Sequence, residues 1–299
     1  MAQFLKRFLF FFCVCSLSVA QSNNWHFTPA DVNTLHHQAA DYQISYGTSS
    51  NQVAELRIPK TQELHPVAII IHGGCWTSRF ADLNNTAALA DALRNIGFAT
   101  WNVEYRRVDN VGGGWPGTFE DIANAADYLR NIKDTYSLDL NRVIVIGHSA
   151  GGHLALWLAA SEQLPKNSPL YRSNPLKLRG VISMGGVPDL AEFRSQQSMQ
   201  ICGNDVIAEL LGHTESEINT HYKETSPIEL LPLGIPQILI YGTDDPVTPI
   251  NIDNYVKRAQ QGVSSIELIK IKHAGHHEYN VPNSVTWPTI KKWAFTLVK

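Results

Sequence analysis

Arg142-Val-Ile-Val-Ile-Gly-His-Ser-Ala-Gly-Gly-His153 is the stretch from which the fold is read. An apolar β-branched run, Val143 to Ile146, leads into Gly147-His148-Ser149-Ala150-Gly151-Gly152, and an apolar helical pattern over 153–160 leaves it. The order is strand, sharp turn, helix. A G-x-S-x-G turn in that position holds its serine in a strained backbone conformation at the top of a sheet, and its glycines remove side chains that would collide with both elements. The Ser149 hydroxyl is then presented for attack. Without the flanking strand and helix, the motif would be a glycine-rich turn with a surface serine.

The same alternation continues on both sides. Upstream, residues 42–46 and 52–58 read as an antiparallel edge hairpin, the second run stopping at Pro59. Residues 66–71 form a continuous apolar run of the buried parallel kind, leading into His72-Gly73-Gly74-Cys75-Trp76. A helix over 82–96 ends at Gly97, a strand follows over 98–103, and Trp115-Pro116 opens another helix. Downstream, strands are predicted at 179–184, 236–241 and 266–271, with helices through Tyr255 and over 284–298. This predicts an α/β fold over 41–299: a mainly parallel eight-stranded sheet with helices on both faces. Residues 189–232 are too long for an ordinary connection and carry short helical pieces, which predicts a small cap.

The 299 residues are 44% hydrophobic and 17% charged, enough for one sizeable core. Lys6 and Arg7 precede an apolar run over 8–19, with small residues Ser18 and Ala20 after it, so residues 1–20 read as a secretory signal peptide cut near Ala20-Gln21. The run is shorter than the ~20 residues that span a bilayer, so no membrane attachment is expected after cleavage. The expected location is secreted or periplasmic. Removing Lys6 and Arg7 leaves 22 of 24 Lys plus Arg against 27 Asp plus Glu, a net charge near −5. No basic patch invites nucleic acid. Residues 21–40 read as a polar N-terminal extension whose His26, His36 and His37 lack metal-ligand spacing. No metal or other cofactor is expected. Once Cys13 and Cys15 leave with the signal, Cys75 and Cys202 remain, which allows one bridge in an oxidising compartment.

A serine nucleophile needs a base, and the base needs an acid that orients it and stabilises its charge. Ser149, the Asp244-Asp245 pair and the His276-His277 pair each directly follow a predicted strand, in the order serine, acid, histidine. Loops at the carboxyl ends of parallel strands share one sheet edge, so the three meet in space. The Gly73-Gly74-Cys75 turn can offer backbone N–H groups to an oxyanion, and Ala150 N–H, at the start of the helix after Ser149, is a further donor.

These motifs, with Glu104-Tyr-Arg-Arg107, Gly114-Trp-Pro-Gly-Thr-Phe-Glu-Asp121, Gly242-Thr-Asp-Asp-Pro246 and Ala274-Gly-His276, resemble the α/β-hydrolase esterases of the group containing arylformamidase-like, feruloyl-esterase-like and prolyl-oligopeptidase-type catalytic domains. The resemblance runs from about Tyr46 to the C-terminus. It implies a Ser149, Asp245, His276 triad, with Asp245 chosen over Asp244 and His276 over His277. It places the oxyanion donors on Gly74 and Cys75 with Gly73 in reserve, and lines the substrate pocket with Trp76 and Trp115. Relatives with Cys after His-Gly-Gly often carry Cys-Gly in the cap, as Cys202-Gly203 is here, which implies a Cys75–Cys202 disulfide. The expected function is hydrolysis of small carboxylic esters, short-chain acyl or small aromatic or sugar esters, through an acyl-enzyme. The alternatives are amide, peptide or arylformamide hydrolysis by the same triad and, more remotely, a non-catalytic binding protein. His277 stands where many relatives have Phe, and a chain with an export signal differs from cytosolic arylformamidases. A propeller of the oligopeptidase kind has no room in about 280 residues.

Overall fold

The structure, a computed structural model, describes residues 26–61, 63–250, 252–262 and 265–299. The signal-peptide reading of residues 1–20 therefore lies outside the described residues. The chain opens with α1 (Pro29–Asn33), β1 (Tyr42–Ser45), β2 (Val53–Arg57), β3 (His65–Ile71), α2 (Ala87–Asn95) and β4 (Ala99–Val103). It continues with α3 (Gly117–Ile132), β5 (Leu138–His148), α4 (Ala150–Ala160) and β6 (Gly180–Met184). Four short helices follow, α5 (Leu190–Gln196), α6 (Ser198–Cys202), α7 (Val206–Leu211) and α8 (Glu215–Thr225). The last elements are β7 (Gln237–Gly242), α9 (Ile252–Gln260), β8 (Ile266–Ile271) and α10 (Trp287–Leu297).

The strands form one eight-stranded sheet in the order β1-β2-β4-β3-β5-β6-β7-β8. β1 and β2 pair antiparallel at one edge, and β2 runs antiparallel to β4; every other neighbouring pair is parallel. Side chains alternate between the two faces of a strand and both faces are covered here, which explains the continuous apolar runs of β3 (Val67 to Ile71) and β5 (Val143 to Ile146). Val67, Ile69, Ile71, Val143 and Val145 enter the core that also holds Phe119 of α3 and Leu154 and Trp157 of α4. Ala68, Ile70, Ile144 and Ile146 point the other way, among Leu89 and Leu93 of α2 and Ile290 and Ala294 of α10.

Among the boundaries that differ from the sequence reading, β5 starts at Leu138, and two helix starts have a local cause. The helix expected from residue 82 begins with a 3₁₀ turn, Leu83–Thr86, capped by the Asp82 side chain on Asn84 N–H. The last helix starts at Trp287, three residues late, because Ser284 and Thr286 turn back to bond the Glu278 carbonyl. Local side-chain-to-backbone bonds of this kind compete with helix and do not register in apolar periodicity. Residues 21–40, read as an extension apart from the fold, hold α1, whose Val32 is buried.

Candidate active site

Ser149 sits at φ 55°, ψ −121°, between the end of β5 and the first turn of α4. Its N–H donates to the Met184 carbonyl at 2.9 Å and its own carbonyl accepts from His153 N–H at 3.1 Å, so both neighbours hold the turn. The flanking glycines are required by contact. A Cβ on Gly147 would lie 2.0 Å from the Gly151 carbonyl oxygen, and one on Gly151 would lie 2.1 Å from the Ile71 carbonyl oxygen. The elbow closes only without those side chains.

His276 Nδ1 donates to Asp245 Oδ1 at 2.9 Å, with both side chains largely buried. Asp245 also accepts from Val247 N–H at 2.8 Å and from the Tyr279 hydroxyl at 2.7 Å. Burial pushes the Asp245 carboxyl up, but His276, Tyr279 and the Val247 amide together hold it below the usual carboxylate range. It is therefore an anion near neutral pH. Asp244 faces outward, beside His26 at 3.4 Å and His273 at 3.8 Å. His277 packs edge-on to His276, and burial followed by the neighbouring His276 pushes its pKa down to about 4.

The Gly73-Gly74-Cys75 turn lies against the serine: a Cβ on Gly73 would come within 2.9 Å of Ser149 Cβ. Gly74, Cys75 and Trp76 all have positive φ, at 100°, 51° and 54°. The turn is held from below. His72 bridges the Gly73 carbonyl (Nδ1, 2.8 Å) and the Glu104 carboxylate (Nε2, 3.0 Å), and Tyr105 OH donates to the His72 carbonyl at 3.1 Å. Burial pushes Glu104 up, yet His72, Arg107 and Tyr105 N–H outweigh it and keep the carboxyl below its ordinary range. Ala150, Gly151 and Gly152 N–H open α4, where the first turn has no intrahelical acceptors.

A disulfide joins Cys75 on this turn to Cys202 at the end of α6, with Cα atoms 5.9 Å apart. Arg79 reinforces the tie by donating to the Cys202 carbonyl at 2.5 Å. Protein lacking residues 1–20, denatured without reductant, should therefore show no free thiols by titration; two would remove the bridge. Reduction should cost roughly 4–5 kcal/mol of stability in the chain-entropy account of a loop spanning 127 residues.

Two expectations from the sequence need correction. Trp76 does not border the cleft: it is 1% exposed, donates through Nε1 to His153 Nδ1 at 3.2 Å and packs edge-on to Phe193. Positive φ at three successive residues turns its side chain into the core. Trp115 stacks on His221 of α8 with ring centroids 3.6 Å apart, and its backbone N–H donates to the Leu210 carbonyl of α7 at 2.7 Å, so it is packed against the cap helices. The cleft itself, about 300 Å³, is lined by Gly74, Cys75, Ser149 and His276, and on its apolar sides by Phe80, Ile201 and Val247. Pro29, Asn85, His148 and His277 also contribute to the wall. Among the described residues, no group of three or more His, Cys, Asp or Glu side chains is gathered to hold a metal ion.

His148, the variable residue before Ser149, has a role that the motif did not reveal. Its Nε2 donates to the His276 carbonyl at 2.7 Å and its Nδ1 accepts from Asn280 Nδ2 at 3.0 Å, which fixes one neutral tautomer. Burial, then His276 and His277, push its pKa well below the ordinary value. Tyr279 and Asn280 are likewise silent in the sequence, because a residue following a histidine motif carries no local sign of what it will touch.

Buried neutral histidines make the fold acid-sensitive. Burial pushes His153, bonded to Trp76 and to the Thr225 carbonyl, down to about 4, as it does His277. Unfolded chains protonate histidine near 6.5, so between about pH 6.5 and 4 the unfolded state binds more protons. Stability is complete above pH 6.5 and falls as pH drops towards 4, by roughly 3 kcal/mol for His153 alone. Thermal midpoints measured across that range should decline; a flat profile would contradict the assignment.

Fold and site together define a protein of the α/β-hydrolase fold, with Ser149, His276 and Asp245 brought to the carboxyl edge of one sheet. The chain belongs to the BD-FAE family, whose family model matches residues 55–259. It is 24% identical over 277 residues to Esterase LipC of Mycobacterium tuberculosis, covering 88% of this chain and 66% of LipC. It is 23% identical over 248 residues to the Probable carboxylic ester hydrolase LipM of the same organism, covering 79% of this chain and 56% of LipM. The chain thus spans between about half and two thirds of the length of these relatives. Among solved structures, a truncated carbohydrate esterase from gut microbiota superposes with a TM-score of 0.72 at 19% identity, covering 88% of this chain and 97% of that one.

Proposed function

We propose that the protein is a serine hydrolase that cleaves small carboxylic esters through an acyl-enzyme intermediate. The observation that carries this reading is the convergence of a strained serine, an aspartate-bound histidine and a backbone turn with positive φ on one 300 Å³ cleft. With Nδ1–H of His276 committed to Asp245, Nε2 is left to take the Ser149 proton. As Oγ attacks the ester carbon, charge moves to the carbonyl oxygen, where Ala150 N–H and Gly74 or Cys75 N–H receive it, aided by the dipole of α4. The proton then passes to the departing alcohol. Water attacks the acyl-serine, His276 takes its proton and returns it to Ser149 Oγ as the acyl C–O bond breaks, and the carboxylic acid leaves. The names of LipC and LipM support the ester class.

The cleft volume lies at the low end of the ~300–1,000 Å³ of small-molecule pockets, which favours a short acyl chain or a compact alcohol. The test is kcat/KM over p-nitrophenyl esters from acetate to palmitate, methyl ferulate, N-formylkynurenine and a prolyl amide. Acetylated sugars join the panel because a carbohydrate esterase shares the fold. Short esters should be cleaved best, with graded steps, since one methylene is worth about 1–3 kcal/mol. Palmitate above butyrate, or the amide above every ester, would overturn the substrate class. Residues 1–20 are proposed to direct export, and exported protein should begin near Gln21.

A further inference from the structure

We infer that residues 26–33 form a wall of the reactive cleft and set the size of ester it admits, an inference that rests on the serine-hydrolase reading above. Pro29, the first residue of α1, lines the cleft beside Asn85 and His277. The family match begins only at residue 55, so this wall comes from outside the matched region.

A helix of five residues has no stability of its own. Its position is imposed by contacts to the loops that carry the reacting groups. His26 pairs through Nδ1 with Glu278 Oε1 at 2.8 Å and lies with Nε2 3.4 Å from Asp244 Oδ2, so one ring bridges the histidine loop and the acid loop. That ring lies on Gly275, the residue before His276: a Cβ there would stand 2.9 Å from His26 Cγ and Nδ1. Only glycine leaves the space.

At the other end of the segment, Asn33 Oδ1 accepts from Asn85 Nδ2 at 3.0 Å, while Asn85 Oδ1 accepts from Asn280 at 2.9 Å. Val32 is buried at 2% exposure, and a reciprocal Thr28–Asp31 capping box closes the first turn. Pro29 sits between these fixed points with its φ locked by the ring, so it is a rigid wall and not a loose tail. Polar anchors at both ends and an apolar residue at the cleft are what a size filter needs, because the anchors hold the wall against a substrate that would push it aside.

Two substitutions move the wall in opposite directions. His26→Ala releases the clamp, and Pro29→Trp enlarges the wall while leaving the clamp intact. The readout is the ratio of kcat/KM for bulky over small esters in an acyl series (p-nitrophenyl octanoate over acetate) and an alcohol series (1-naphthyl over methyl acetate). His26→Ala should raise the ratio in at least one series by about tenfold or more, and Pro29→Trp should lower the same ratio, since one methylene admitted or refused is worth roughly 10–200-fold. Stoichiometric fluorophosphonate labelling reports an intact site in each variant. Full labelling with both ratios unchanged overturns the wall alone. If His26→Ala does not fold, the Pro29→Trp ratios decide. A wild-type protein that neither labels nor cleaves any ester overturns the serine-hydrolase reading, and the size filter falls with it.

Discussion

Ser149→Ala should abolish fluorophosphonate labelling and lower kcat by about 10⁴- to 10⁶-fold, because nucleophile and base act as a unit and the loss of either forfeits most of their joint effect. The fold should survive. The hydroxyl makes no hydrogen bond among the described residues, while the backbone bonds to Met184 and His153 that hold the elbow do not involve the side chain. Alanine meets the same positive φ as serine, so the strain at 55° is carried over and not added. Circular dichroism and the thermal midpoint should match wild type. More than about a tenth of wild-type turnover in the folded variant would remove Ser149 from the chemistry.

Asp245→Asn and His276→Ala should each lower kcat by about 10⁴-fold or more, whereas Asp244→Asn and His277→Ala should stay within about tenfold of wild type. The contrast follows from geometry. Asp245 accepts the Nδ1–H of His276, and an amide at that position can present N–H instead, which selects the wrong tautomer and leaves Nε2 protonated. Asp244 meets the part-exposed His26 and His273 rings and the neighbouring Thr243 hydroxyl, none of them a reacting group, and surface pairs of this kind contribute little. His277 borders the cleft and contacts His276 edge to face without a hydrogen bond to it. The measurement is kcat and KM for one short ester across all four variants. A reversed ranking would mean that acid and base are each displaced by one residue.

The expectations that failed share a cause. Likeness of motif places Trp76 and Trp115 at the cleft, but where an indole points depends on backbone angles and on neighbours such as His153 and His221, 77 and 106 residues further along. The polar composition of the N-terminal segment carries no periodicity, and its anchors Asn85 and Glu278 lie 52 and 252 residues further along the chain.

What the sequence determined by itself is the layered α/β architecture and the placing of Ser149, the aspartate pair and the histidine pair after successive strands. Buried parallel strands are continuous apolar runs, helices show their 3.6-residue stripe, and Gly147 reflects a backbone approach within one turn, so each is written in neighbouring residues. Only the tertiary structure decided that Asp245 and His276 share a hydrogen bond, that His148 and Asn280 hold the histidine loop, and that His26 and Pro29 reach the cleft. His26 and Glu278 are 252 residues apart. Contacts over such separations arise from packing of the whole sheet edge, and no local pattern of residues encodes them.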